Sequence, residues 1–428
     1  MTEQEIASLG PAFAGYLGRY RDCFLQQPTM THFDTYCRGL LSDMPRKSVE
    51  PIALESGTAV RTLQEFLVTA RWDQERARTR FQTDLAAAAA AMPADVIGTV
   101  GVIDETSCQK WGDHTPGVQR QYLGCVGKVE NGIVTVHVGV SKGRFQALLD
   151  ADLYLPESWD ADRERCRAAG IPDDVRYRPK WRIALDQLVR LSESGMHFDW
   201  LVFDEGYGAA VPFLRILTLV GQRFVAEVPM NFVVRKRLAS AARRADKRLT
   251  VADAKAGRRY RLVHQTVKTS VWRAADAAVW VAGREHRLVV AINEVTAEVK
   301  YFLTNATSAP LARVLAVAFR RWTVEHSFRL AKQEAGLMHY EGRDYLGLTR
   351  HLVLALIVLG FVATHTERLR EKKSADHRRA SVPGPQPALR DGLPATARYS
   401  GDTPHQRGHL LLPTSEPTSR PVSQEAAA

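Results

Sequence analysis

The chain has 428 residues, of which 45% are hydrophobic and 25% charged, as in a globular protein large enough for two or three domains. A net charge of +11 favours a polyanionic partner, and five cysteines without a CxxC spacing argue against a disulfide framework and a zinc site. The N-terminus lacks a signal-peptide pattern, and the longest apolar run, Leu352–Ala363, is too short for a membrane span. We therefore expect a protein of the cytosol, without a membrane partner.

The first 92 residues are rich in helical patterns. Helical spacing or strong helix formers cover residues 12–24, 32–41 and 73–91. Between the last two, Ala53, Gly57 and Leu63 stand at the spacing of a helix-turn-helix motif. We predict a helical DNA-binding domain over residues 1–92, with Arg61 and Gln64 on the helix that enters the major groove. The alternative is a plain bundle of three or four helices.

Residues 93–231 change to alternating strands and helices. A first strand rich in Val and Ile ends at Asp104. Two more strands follow, joined by a predicted hairpin turn at Glu130–Asn131–Gly132, because Asn-Gly between alternating hydrophobic residues favours a hairpin. Helix 181–192, a strand ending at Asp204, helix 211–220 and strand 223–229 complete the segment. This order predicts an α/β protein with a mixed-sheet RNase H-like core, whose last helices lie in residues 309–370.

A basic insertion, residues 232–308, interrupts this core. Eleven Lys or Arg lie between Arg235 and Arg261, against two acidic residues. Such a concentration is typical of a nucleic-acid-binding surface, and we assign Arg235, Lys236 and Arg237 to DNA. The alternative is an ordinary solvated face.

Four strand-like stretches in the same insertion, residues 260–272, 277–283, 286–294 and 299–306, predict a small antiparallel sheet. Trp272 and Trp280 on these stretches could stack on a base, but such tryptophans more often belong to the core. The Pro-rich tail, residues 371–428, is predicted to be disordered because it cannot bury enough apolar surface.

The stretch from Arg320 to Arg343 predicts a helix that stops at Gly336. Arg321, Glu325 and Lys332 share one face of it, together with an intervening phenylalanine. Two interpretations remain open for this face. The face is either a solvated stripe of alternating charge, or it carries an acid that binds a metal and is flanked by basic residues that bind a polyanion.

Two further acids favour the second interpretation. Asp104 and Asp204 end strands of one sheet, and Glu325 lies on a helix that would pack across it. Oxygen ligands of this kind suit magnesium or manganese, and two such ions would stabilise both the attacking and the leaving oxygen in phosphodiester cleavage. Glu105 and Glu205 are weaker candidates because strand alternation turns them to the other face; Glu334 lies about 180° round the helix from Glu325.

These motifs resemble those of DDE-superfamily transposases of bacterial insertion sequences, in the branch with a β-strand insertion before the final helix. VIDETS carries the first Asp, LVFDEGYG the second, and RWTVEHSFRLAKQEAGLMHYEGR the Glu. The branch has a signature Y-x2-R-x3-E-x6-K. Arg321, Glu325 and Lys332 match its last three positions, whereas Ala318 replaces the tyrosine.

The resemblance implies DNA cleavage at the element ends and strand transfer into a target. Asp104, Asp204 and Glu325 would be the catalytic and metal-binding residues, holding two divalent ions (Mg, with Mn possible). Arg321, Lys332 and Arg343 would bind phosphates. The partners would be double-stranded DNA and further copies of the chain assembled on it, in the bacterial cytosol. Two alternatives stay open: a DNA-binding relative that no longer cuts, and an RNase H-like nuclease without strand transfer.

Overall fold

Five helices form the N-terminal part of the computed structural model, which describes residues 3–264 and 268–380. They are α1 (Glu3–Gly18), α2 (Gln27–Leu41), α3 (Val49–Glu55), α4 (Val60–Val68) and α5 (Gln74–Ala91). The predicted helix over residues 12–24 is wrong in extent, because α1 ends at Gly18 and a 3-10 turn covers Arg21–Cys23. A short turn joins α3 to α4: Gly57 has φ of 66°, and the apolar sides of both helices are buried.

The central sheet follows. Its elements are β1 (Val100–Gln109), β2 (Gln119–Leu123), β3 (Lys128–Lys142), β4 (Phe145–Leu153), α6 (Glu157–Asp160), α7 (Arg163–Ala168), α8 (Lys180–Glu193), β5 (Trp200–Phe203), α9 (Glu205–Gly208), α10 (Val211–Leu219) and β6 (Phe224–Val228). The strand order is β4-β3-β1-β5-β6. β3 is antiparallel to both β1 and β4, whereas β5 is parallel to β1 and to β6. This mixed α/β sheet is that of an RNase H-like core, as predicted.

Three details of the predicted sheet are wrong. β1 does not end at Asp104 but runs on to Gln109, because all ten of its residues pair with β3. Asn131–Gly132 is not a hairpin turn, since it lies inside β3; the turn between β2 and β3 is four residues long and ends at Gly127, with φ of 68°. A Cβ at Gly132 would lie 2.3 Å from the carbonyl oxygen of Cys108, so this glycine permits close strand approach.

The third detail is β4, which the sequence pattern did not assign. It supplies the third antiparallel strand of the core, whereas β2 is an additional strand on the far end of β3. The structure therefore has four opening strands, β1 to β4, where the sequence pattern predicted three.

The insertion extends the same sheet. It contains β7 (Val233–Arg235), β8 (Ala242–Arg244), α11 (Ala245–Arg248), α12 (Val251–Ala256), β9 (Arg258–His264), β10 (Lys268–Val281), β11 (Arg284–Asn293) and β12 (Val299–Thr304). β12 pairs antiparallel with β6, so the insertion is antiparallel as predicted but continuous with the core sheet. The predicted break between residues 272 and 277 is wrong, because β10 passes through it. Trp272 is fully buried with its ring 4.7 Å from that of Phe319, which makes it a core residue; Trp280 is half-buried.

The last elements are α13 (Leu311–Ala318), α14 (Trp322–Glu334) and α15 (Tyr345–Ala380). Residues up to Arg368 of α15 are apolar enough, by length and composition, to cross a membrane, but 78% of the most apolar window is buried inside the protein. α15 is therefore a core helix over the apolar run, as predicted. The predicted tail starts too early, because α15 is helical to Ala380; the rest of it, residues 381–428, lies outside the described residues.

The N-terminal helices pack around α15. The Tyr16 hydroxyl donates to the carbonyl of Ile357 at 3.0 Å, and the Tyr36 hydroxyl lies 2.9 Å from Nδ1 of His351. Arg350 is buried and donates to the carbonyl of Leu67 at the end of α4. By their contacts, the described residues up to 375 form one compact unit.

Candidate active site

Asp104 lies in the middle of β1 and faces α14. Its side chain is buried, and its partner in the neighbouring strand is His137, whose ring contacts Phe328 of α14 at 5.0 Å. Strand alternation turns Glu105 to the opposite face, where it accepts a 2.8 Å hydrogen bond from Lys180 at the start of α8. The structure thus separates the two neighbouring acids as the sequence pattern predicted.

Asp204 follows β5 directly. Since Ile103 and Phe203 are paired in the parallel strands β1 and β5, Asp104 and Asp204 extend side by side from that pair. Asp204 also caps α9, accepting hydrogen bonds from the backbone N–H of Gly206 at 3.0 Å and of Tyr207 at 3.4 Å. These bonds hold the carboxylate at the carboxyl end of its strand.

Arg321 connects the acids of the sheet to α14. Its Nη1 donates to Oδ2 of Asp104 and its Nη2 to Oε1 of Glu325, each at 2.9 Å. The Arg321 side chain is only 15% exposed, whereas that of Glu325 is 60% exposed. The i, i+4 spacing on the helix therefore places an arginine between two acids, with the glutamate at the rim.

We call Asp104, Asp204, Glu325 and Arg321 the site cluster. Burial raises the pKa of Asp104 to about 7; Arg321 acts to lower it and the Asp204 carboxylate acts to raise it. Burial acts to lower the pKa of Arg321, but the surrounding carboxylates, Asp104 first, raise it overall. The site cluster thus has three carboxylates and one guanidinium, which binds Asp104 and Glu325, so its acidic groups outnumber its basic group.

This charge deficit is what a divalent cation would correct. Within residues 3–264 and 268–380, no three Asp, Glu, His or Cys side chains are close enough to ligate one ion. The reason at the site cluster is that Arg321 stands between Asp104 and Glu325. The donor set itself fits a hard cation, because carboxylate oxygens are its preferred ligands and the buried Asp104, whose pKa is raised, would gain from a positive charge placed beside it.

Comparison with known proteins agrees with this geometry. Residues 19–288 match the model of the DDE superfamily endonuclease family. The chain belongs to this family. Both aspartates of the site cluster lie within the matched residues, whereas α14 lies beyond them. DDE superfamily enzymes generally depend on divalent metals.

A named relative covers part of the chain. The chain is 31% identical over 222 residues to the "Probable transposase for insertion sequence element IS701" of Microchaete diplosiphon. The match includes 51% of this chain and 54% of that relative. The chain thus spans about half the length of the relative.

Two buried residues beside the site cluster were missed by sequence reasoning. Tyr207, three residues after Asp204, is buried, and its hydroxyl has no hydrogen-bond partner among the described residues. His137 is fully buried opposite Asp104, and burial lowers its pKa to about 3, so the ring is neutral. The position of Tyr207 in the motif DEGYG was an available signal, whereas the strand register that brings His137 to Asp104 was not.

The remaining residues of the α14 face point inward as well. Phe328 is buried, and Lys332 is half-buried near Cys108 and Cys125. Burial lowers the pKa of Lys332. The face from Arg321 to Lys332 therefore lies against the sheet, and only Glu325 retains the exposure expected of a solvated stripe.

The other residues predicted to bind DNA are exposed and lie outside the site cluster. They are Arg343 in the loop after α14, Arg61 and Gln64 on the outer side of α4, and Arg235, Lys236 and Arg237 at the end of β7 and beyond it. Arg61 pairs with Glu65 at 2.8 Å, an exposed contact that DNA could replace at little cost.

Proposed function

We propose that this DDE-family endonuclease is a transposase, which cleaves DNA at the ends of an insertion sequence and joins the freed 3′-hydroxyl to target DNA. The observation that carries the proposal is the site cluster: three carboxylates from β1, the end of β5 and α14, two of which are paired with one arginine. The transposase relative supports it, since its similarity to this chain is shared over half of each protein.

Asp104, Asp204 and Glu325 are the proposed catalytic residues. They would hold two divalent ions, magnesium or manganese, which when bound stabilise the attacking and leaving oxygens of phosphodiester cleavage. In this structure the guanidinium of Arg321 is bound to Asp104 and Glu325. With cations held by these acids, Arg321 would be available to bind a phosphate close to the cleaved bond. Lys332 and Arg343 would bind phosphates further along the same strand.

DNA recognition is divided between two other regions in this proposal. α4 offers Arg61 and Gln64 to base edges, so it would select the element ends. The basic segment, Arg235–Arg261, would grip backbone phosphates without choosing sequence. Because two ends must be cut for the element to move, we further propose that copies of the chain assemble on DNA in the bacterial cytosol.

The test is a cleavage and joining assay on duplexes that carry the element's own ends, with Mg²⁺ and a target plasmid. We expect nicking at the element end followed by joining to the plasmid. Asp104→Asn should abolish both steps while leaving binding to the ends nearly unchanged. Glu105→Gln is the matched control, because it alters the neighbouring acid on the opposite face of the sheet.

Two outcomes would replace the proposal. Cleavage without joining would make the protein a nuclease without strand transfer. Specific binding without cleavage would make it a DNA-binding relative that has lost its activity.

A further inference from the structure

A lysine far from the site cluster in sequence is buried at the end of α14. Lys47 lies in the loop between α2 and α3 and is only 2% exposed. Lysine is almost never buried to this extent unless its ammonium group is paired. Here Nζ donates to the carbonyl oxygen of Glu334, the last residue of α14, at 2.5 Å.

This contact has a clear physical effect on α14. The last carbonyls of a helix have no partner within it, and they carry the negative end of the helix dipole. The Lys47 ammonium supplies both a donor and a positive charge there. The backbone N–H of Lys47 also bonds Nδ1 of His339 at 3.0 Å, so the loop binds the chain on both sides of the turn.

Gly336 permits this close packing. It has φ of 58°, and a Cβ at this position would lie 2.7 Å from Cβ of Lys47. Its carbonyl accepts from Nε2 of His351 at 2.9 Å. The turn after α14 is therefore held by the α2–α3 loop on one side and by α15 on the other.

The same loop leads directly into the helix pair proposed to read DNA. Only Ser48 separates Lys47 from the first residue of α3. At the other end of the contact, α14 is a rod of 13 residues that carries Glu325 and Lys332. Glu325 is nine residues before Glu334, about 14 Å along the axis, so a shift of the helix end displaces it.

We propose that Lys47 is a positioning residue that couples recognition of the element ends by α3 and α4 to the placement of α14 in the active site. The inference rests on the proposed function. Lys47 touches neither DNA nor the reacting atoms in this proposal; it transmits the position of α3 to the helix that carries Glu325.

The chain offers a matched control. Nζ of Lys142 donates to the carbonyl of Ala89 at the end of α5 at 2.9 Å, which is the same type of contact on a helix without proposed site residues. Lys47→Met and Lys142→Met each remove an ammonium from a helix end while keeping an unbranched side chain. Comparing their melting temperatures separates loss of stability from loss of coupling.

The experiment measures three quantities for the full chain and both variants: affinity for end duplex, single-turnover cleavage with Mg²⁺, and hydrogen exchange of residues 331–340 with end or random duplex. For Lys47→Met we expect end affinity within about threefold of wild type and cleavage slower by roughly 10- to 100-fold. In wild type, end duplex should protect residues 331–340 more than random duplex does. Lys47→Met should lose that difference, and Lys142→Met should keep it.

Each outcome is decisive. Equal cleavage by the two variants would overturn the coupling while leaving the proposed function intact. If Lys47→Met does not fold, hydrogen exchange of the wild-type protein provides the test. Equal protection of residues 331–340 by end duplex and by random duplex would overturn the coupling. Wild type that neither prefers nor cleaves the ends would remove the proposed function, and the coupling with it.

Discussion

Two clusters of carboxylates and arginines lie on opposite faces of the same sheet. One is the site cluster. The other, which we call the staple, contains Asp150 and Asp152 of β4, Arg190 of α8 and Arg78 of α5. Asp150 is fully buried and accepts from Nε and Nη2 of Arg190 at 3.1 and 2.8 Å.

The clusters differ in their balance of charge. The staple has two carboxylates and two guanidinium groups, so its buried charges compensate one another and hold α5 and α8 to β4. The site cluster has three carboxylates and one guanidinium group, and its glutamate reaches the surface. The difference teaches that a buried ion pair by itself indicates no function. An uncompensated excess of charge of one sign, at a site that is open to solvent on one side, indicates that the site binds a ligand of the opposite charge.

The largest expected effect distinguishes the site cluster from the staple by its role in DNA cleavage. Glu325→Gln or Asp204→Asn should lower the rate of end cleavage by at least about 10³-fold, because each removes a carboxylate that we propose to hold the cations. Cleavage would be followed in single-turnover reactions at saturating DNA. Glu334→Gln, on the same helix, should stay within about threefold. A variant of the site cluster that retained cleavage would remove that residue from the site.

The second prediction distinguishes the two clusters by their contribution to the free energy of unfolding. Arg190→Met leaves two buried carboxylates with one cation, so it should lower the free energy of unfolding by about 3–5 kcal/mol. Urea titration would measure this. Arg182→Met, on the same helix, removes only an exposed pair with Asp186 and should cost less than about 1 kcal/mol. A small loss for Arg190→Met would mean that the staple does not stabilise the fold.

The third prediction concerns pH. The pKa of Asp104 rises from 3.8 to about 7 on folding, so the folded protein holds this proton more tightly than the unfolded chain. The resulting stabilisation is complete below pH 4 and is lost as the pH rises to about 7, a change of up to about 4 kcal/mol. In metal-free buffer, Asp104→Asn should therefore gain stability relative to wild type between pH 4 and 7.

The measurement is urea unfolding of both proteins across that pH window, with a chelator present. If the difference between Asp104→Asn and wild type did not change with pH, Asp104 would be an ordinary ionised carboxylate.

The smallest expected effect concerns the arginines. Arg321 occupies oxygens of Asp104 and Glu325, so it competes with a cation for them. Arg321→Gln should raise the affinity of the DNA-free protein for Mn²⁺ by roughly tenfold, as titration calorimetry would show. Arg190→Gln is the control and should leave Mn²⁺ affinity unchanged. Equal affinities for wild type and Arg321→Gln would show that the arginine does not occupy the cation position.

Much of the site could be predicted from local pattern. Glu325 and Arg321 share a helix face because four residues span about one turn, and this spacing holds in any α-helix. Asp204 follows a short apolar strand that ends in a turn, and Asp104 lies in a run of Val and Ile. These patterns depend on residues that are close together in the chain, so they do not depend on how distant elements pack.

The predictions of secondary structure were wrong where contacts between residues distant in the sequence outweigh the local conformational preference. Asn131–Gly132 is a turn signal by itself, but pairing with two strands keeps it extended, and the glycine serves close approach to Cys108. β4 carries two aspartates that argue against burial. They are buried because Arg190, some 40 residues later, neutralises them.

Local sequence patterns predicted the fold class, the basic insertion and the three acids proposed to act in catalysis, because apolar periodicity and charge spacing are local properties. The cation that a buried acid meets depends instead on how distant elements pack. Packing of α14 on the sheet brings Arg321 to Asp104, and packing of the N-terminal helices brings Lys47 to the end of α14. Contacts between residues more than 200 positions apart leave no periodic signal in a single sequence, since they depend on how complete elements pack together.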